Sequence, residues 1–183
     1  IAVWNGSTWS ALGSEMNGNI NALLVSGSDL YAGGYFTTAG GISASKIAKW
    51  NGSTWSALGS GLDNASGTAV NALVANGNDV YVGGYFTQAG GSAAASLAKW
   101  NGSSWSAMGP GFANAVYAVA ALANGELVAA SYGTVRRWNG AHQWIRAPAQ
   151  SLPNPTLLLR ALDKLRAARL AEFPCSLYWR AAR

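Results

Sequence analysis

The stretch Ile47-Ala48-Lys49-Trp50-Asn51-Gly52-Ser53-Thr54-Trp55-Ser56-Ala57-Leu58-Gly59 returns fifty residues later as Leu97-Ala98-Lys99-Trp100-Asn101-Gly102-Ser103-Ser104-Trp105-Ser106-Ala107-Met108-Gly109, and a close copy occupies residues 1–13. Strings this long do not match in order by chance, so internal repetition decides the fold. Trp-Asn-Gly stands at Trp4, Trp50, Trp100 and Trp138, in steps of 46, 50 and 38 residues. A second Trp follows five residues on at Trp9, Trp55 and Trp105, and one residue late at Trp144. Two further blocks repeat: YAGGYFTTAGG from Tyr31 as YVGGYFTQAGG from Tyr81, and Asn21-Ala22-Leu23-Leu24-Val25 as Asn71-Ala72-Leu73-Val74-Ala75.

Each unit reads as four short strands separated by turn residues, and no stretch of residues 1–135 sustains a helical period. The strands are the Asn-Ala-Leu block, the Asp-Leu-Tyr-Ala-Gly-Gly-Tyr-Phe block, the Ile-Ala-Lys-Trp block and a last one starting near Ser53-Thr54-Trp55. Asn-Gly between the last two is a strong hairpin signal, read as a turn whose two residues both take positive φ. A two-residue turn pairs Trp50 with Ser53, and a four-residue turn pairs it with Trp55. Either register puts both Trp rings on one face and Ile47 or Leu97 on the other. Gly33-Gly34 and Gly83-Gly84 fall in mid-strand, where glycine marks a bulge or a close backbone approach. The last unit is eroded. Ala130-Ser131 stands in place of the glycine pair, and the loop matching Thr87 to Gly91 is missing.

Strands apolar on both faces suit stacked blades. The expected fold is therefore all-β: a partial β-propeller of about 3.5 four-stranded antiparallel blades, with a short C-terminal α-helix. The repeat region spans residues 1–144, with units near 1–13, 20–60, 70–109 and 116–144. The repeat positions that build it are Trp4, Trp9, Gly33, Gly34, Trp50, Trp55, Gly83, Gly84, Trp100, Trp105 and Trp138. Too few blades are present to close a ring, so an open arc is expected, with self-association through its open blade edges. The chain opens inside a motif and reads as cut from something longer.

GGYFTTAGG, IAKWNGSTWSALGSGL and VNALVANGNDVYVGG resemble the tandem Kelch-like, galactose-oxidase-central-domain-like propeller repeats of secreted bacterial proteins. They are also similar to the repeats of the fungal cortical cell-polarity marker family. The resemblance covers residues 1 to about 144 and departs from the Kelch pattern, which has a Tyr where this chain has Ala44 or Ala94. It implies a propeller in an extracellular or cell-surface setting and leaves activity open, since propellers host many functions.

The formal net charge of +5 is unevenly spread. Residues 1–135 carry three basic and five acidic side chains, and the rest carry nine and two. A near-neutral repeat region lacks the basic face that nucleic acid requires. No apolar run is long enough for a membrane span. After Gly140 glycine disappears and Arg, Ala, Leu and Pro take over. In this tail, residues 145–183, Asn154-Pro155 opens an amphipathic helix near 155–171 that Pro174 ends. Three readings stay open for it: a membrane- or partner-binding basic helix, a cap on the last blade, and a frameshift or read-through product.

The candidate sites are weak. The lone His142 and lone Cys175 cannot build the clustered copper site of an oxidase, and a Ser-His-Asp arrangement would have to use a turn histidine. Asp29 and Asp79 recur at one repeat position and read as Asx-type turn residues rather than a catalytic pair; Asp63 sits in a loop. Too few carboxylates converge for calcium. The sequons at Asn5, Asn51, Asn64 and Asn101 matter only in a eukaryotic secretory setting. Surface Trp and Tyr can stack on sugar rings, but repeated aromatics more often fill the core between blades. Burial of Trp55 and Trp105 would rule out a platform made from them. The expectation is a non-enzyme without a cofactor or metal. It would serve as a scaffold or interaction module for an unknown protein or glycan, with carbohydrate binding as an accessory module of a secreted glycan-active protein as the alternative.

Overall fold

A computed structural model describes residues 1–63, 65–132, 134–138 and 143–146. The helix expected near 155–171, His142 and Cys175 lie outside the described residues. β1 (Ala2–Trp4) and β2 (Trp9–Ala11) form a two-stranded half-blade. The first full blade contains β3 (Asn19–Ser26) and β4 (Asp29–Tyr35). A small hairpin of β5 (Thr38–Ala39) and β6 (Ile42–Ser43) follows, then β7 (Ile47–Trp50) and β8 (Trp55–Ala57). The second blade repeats this with β9 (Ala69–Asn76), β10 (Asp79–Tyr85), the hairpin β11 (Gln88–Ala89) and β12 (Ser92–Ala93), β13 (Leu97–Trp100) and β14 (Trp105–Ala107). The third lacks the hairpin and consists of β15 (Val116–Ala121), β16 (Leu127–Ser131), β17 (Thr134–Trp138) and β18 (Trp144–Arg146). Each full blade is an antiparallel meander: β3-β4-β7-β8, β9-β10-β13-β14 and β15-β16-β17-β18. The described residues thus form the expected all-β partial propeller of three and a half blades.

The Trp-Asn-Gly turn corrects one expectation. Trp4 faces Trp9, Trp50 faces Trp55 and Trp100 faces Trp105, which is the four-residue register. Glycine alone takes positive φ (Gly52, 99°), and Asn51 does not. Asn51 instead acts through its side chain: Oδ1 accepts the amides of Ser53 and Thr54, both at 2.9 Å. Asn5 and Asn101 do the same. The turn with two positive-φ residues is found at Gly40-Gly41, which joins β5 to β6, and at Gly90-Gly91. The Trp rings of each pair lie 5.3–5.5 Å apart at about the same tilt, and Trp138 with Trp144 reproduces this at 5.1 Å.

The glycine pairs do two separate jobs. A Cβ on Gly33 would overlap Val70 of the next blade, and one on Gly83 would sit 2.7 Å from Val116 and 2.8 Å from Val119. The first glycine therefore lets successive blades approach. A Cβ on Gly34 or Gly84 would strike the carbonyl of Asn19 or Ala69 within the same blade, where the pairing register shifts. In the third blade Ala130 pairs with Val135 as Gly33 pairs with Ile47, so it holds the first glycine's position. Ser131 holds the second, and its hydroxyl donates to Ala115 O at 2.8 Å, a bond to the carbonyl that the glycine merely avoids.

Blades are joined by apolar packing and a repeated set of hydrogen bonds. Trp50 and Trp55 pack toward the half-blade, Trp100 and Trp105 toward the first full blade, and Ile47 and Leu97 toward the blade that follows each. Trp55 Nε1 donates to Leu12 O at 2.7 Å, Trp105 Nε1 to Leu58 O at 2.7 Å, and Trp144 Nε1 to Met108 O at 2.8 Å. A buried indole N–H needs such a partner. Along the inner rim Asn21 Nδ2 donates to Val70 O and Asn71 Nδ2 to Val116 O. Tyr117 takes this asparagine's place in the third blade.

Candidate binding face

The repeated aromatics that the sequence brings forward are structural. Trp55 is 7% exposed and Trp100 is buried, while Trp105 is partly buried against the core between the first two full blades. Trp55 and Trp100 therefore cannot serve as a platform. Trp4 and Trp9 are exposed, Trp9 at 69%, although they hold the positions of Trp50 and Trp55, which pack against the half-blade.

The repeated acids are also accounted for. Asp29 and Asp79 are not Asx-turn residues, contrary to expectation. Asp29 pairs with Lys49 and Asp79 with Lys99, each at 3.1 Å across adjacent strands. The β3–β4 turn is made by Gly27-Ser28, with positive φ at Gly27 only, so it needs no help from the acid. In the third blade both partners change and the pair persists, as Glu126 with Arg137 at 3.1 Å. Such pairs, roughly a third exposed, contribute on the order of 0–1 kcal/mol each.

Asp63 is a clamp between loops. Its carboxylate accepts the Thr68 hydroxyl at 2.8 Å, the Thr87 amide at 2.9 Å and the Thr87 hydroxyl. Partial burial pushes its pKa up, but the hydrogen bonds from Thr87 and Thr68 outweigh this and hold it below the ordinary carboxylate value. Asn17 fastens the equivalent loop of the first full blade: its Oδ1 accepts the amides of Thr37 and Thr38, and its Nδ2 donates to the Thr37 hydroxyl. An amide that substitutes for the acid marks the position as a fastening. Among the described residues no three His, Cys, Asp or Glu side chains gather as a metal site would.

The exposed aromatics lie elsewhere. Tyr35, Tyr85 and Tyr132 occupy one repeat position, immediately after the glycine pair or its replacement, and are 47%, 52% and 59% exposed. Strand alternation explains them: the next residue, Phe36 or Phe86, points inward and is buried, so the tyrosine points out. All three sit at the end of the second strand, on the side of the arc carrying the β4–β7 and β8–β9 connections. The sequence contains this signal, an aromatic pair in which one ring is buried and one is free, but the more numerous Trp residues mask it.

Between the second and third blades this side opens into a cleft of about 470 Å³, flanked by Tyr85 and Tyr132 and further lined by Tyr117, Asn71, Asn114 and Gly67. Among the described residues no charged side chain lines it. Tyr35 differs, because Lys46 lies over its ring with Nζ 4.5 Å from the centroid. The residue equivalent to Lys46 in the second blade is Ser96, and both take positive φ, at 66° and 62°.

No family model matches the chain, and no curated protein matches it. Among solved structures, it is similar to the extracellular domain of a putative one-component system from B. thetaiotaomicron, with a TM-score of 0.50 and 14% identity. That match covers 74% of this chain and 18% of that one. The likeness is one of fold. No helix among the described residues is long and apolar enough to cross a membrane.

Proposed function

We propose that this chain is part of a Kelch-like β-propeller of extracellular or cell-surface location and acts as a non-catalytic scaffold or interaction module. One observation carries the reading. The large aromatics that stay exposed in every full blade occupy one repeat position on one side, at Tyr35, Tyr85 and Tyr132. Exposed aromatic clusters are what recognition surfaces require. The repeated acids, by contrast, are held in ion pairs or loop clamps, which leaves them poorly placed for acid–base chemistry. The likeness to an extracellular domain supports the location.

The test is a binding screen of the folded chain against arrays of extracellular proteins and glycans, repeated with Tyr35, Tyr85 and Tyr132 all changed to alanine. The expected outcome is binding that the triple variant loses while its melting temperature stays unchanged. Binding that survives the triple change removes the tyrosine row from the reading. Turnover of a glycoside or peptide substrate that Asp63→Asn abolishes removes the non-catalytic assignment.

A further inference from the structure

We infer that the cleft between Tyr85 and Tyr132 is a binding site for a short neutral saccharide. The inference rests on the reading of the tyrosine row as a binding face and names its ligand class. Its volume, about 470 Å³, falls within the roughly 300–1,000 Å³ of small-molecule sites. Two exposed phenol rings on adjacent blades flank it, and a third tyrosine, Tyr117, contributes to the wall. Aromatic rings of this kind present an apolar face to the C–H face of a pyranose and a hydroxyl to its edge.

The remaining polar groups are amides. Asn114 is exposed at the rim, and Asn71 is fixed by its donation to Val116 O at 3.3 Å, which leaves Oδ1 as an acceptor. Amides and phenols supply neutral donors and acceptors suited to hydroxyl groups. Among the described residues the lining carries no charge, and this selects against the alternatives. An anionic ligand such as a nucleotide or a uronic acid finds no cation, and a cationic one finds no carboxylate. Tyr35 is the natural contrast, because Lys46 already covers its ring and puts a charge beside it. The site therefore belongs to one pair of blades and not to the row as a whole.

The experiment is calorimetric titration of the chain with neutral hexasaccharides of glucose, mannose and xylose, up to about 5 mM, the weak range in which binding to a shallow site is still measurable. Anionic oligogalacturonate serves as control. At least one neutral sugar is expected to bind. Tyr85→Ala and Tyr132→Ala should each weaken it about tenfold or more, as loss of a central aromatic contact does. The Phe variants should weaken it less than about threefold, since stacking survives, and Tyr35→Ala should leave it within about twofold. Failure of every neutral sugar to bind, or preference for the oligogalacturonate, overturns the inference. If the same tyrosine variants still abolish capture of an extracellular protein, the binding face stands and only its ligand class falls. If they change no binding at all, both readings fall.

Discussion

Gly33 illustrates how single atoms set the spacing of this molecule. Its missing Cβ is occupied by Val70 of the next blade, so Gly33→Ala should destabilise by about 1–3 kcal/mol through overpacking. Pairing it with Val70→Ala should recover part of that loss, because the two side chains compete for one space. Urea unfolding of the four variants measures the coupling, and strict additivity would contradict it. Asp63 provides the pH-dependent counterpart. Its folded-state pKa is lowered, so its contribution to stability is present in full above the ordinary carboxylate value of about 4 and fades as pH falls through the lower folded value. Asp63→Asn, which imitates Asn17, should flatten that acid limb while keeping the clamp. Melting temperatures between about pH 2 and 5, spanning the carboxylate range, make the comparison. At this scale the glycine pairs were legible, because mid-strand glycine has few other uses. The partners of Asp29, Asp79 and Asp63 were not. Each lies some twenty residues away or across a strand pair, and residue type alone cannot reveal it.

The strands and their order were legible from repetition and alternation, while the turns were read less well. Asn-Gly carries a strong local preference, yet here the asparagine side chain closes a four-residue loop by accepting two amides. Asn51→Ala leaves those amides to water and should cost about 1 kcal/mol while Trp50 and Trp55 stay paired. Thermal melts, with near-ultraviolet dichroism to follow the ring pair, test both halves of that statement. Hairpins β5–β6 and β11–β12 are not legible in the sequence, because two-residue strands leave no alternation to read. Their purpose appears only in packing: a Cβ on Gly40 would lie 2.8 Å from Trp55, and one on Gly90 the same distance from Trp105, so each hairpin turn closes over the outer tryptophan. Where the third blade drops the hairpin, Phe112 meets Trp144 instead, with ring centroids 5.2 Å apart. The tyrosine row was hidden for a similar reason, since exposure is a property of a position in the assembled arc.

Across the whole arc the two ends are unlike. Leu73 and Val119 pack against the glycines of the blade before them, whereas their counterpart Leu23 is exposed, as are Val25, Val3, Trp4 and Trp9. These exposed apolar side chains should make the chain associate as concentration rises. Sedimentation velocity is expected to show heavier species at tens of micromolar, a typical range for a weak apolar contact, and Trp9→Lys with Val25→Lys should suppress them. A single monomeric boundary at every concentration would contradict this. The opposite end lacks the features that receive a neighbour, since Ala130 fills the space kept open by Gly33 and Gly83, and Tyr117 replaces the rim asparagine. An array with one receptive end and one altered end has a direction. A unit copied in ahead of β3 meets a surface already shaped for it, whereas one copied in behind β18 must regain a glycine and an asparagine before it can seat. Changes in repeat number during the history of such a gene would therefore leave packing undisturbed on one side of these blades only.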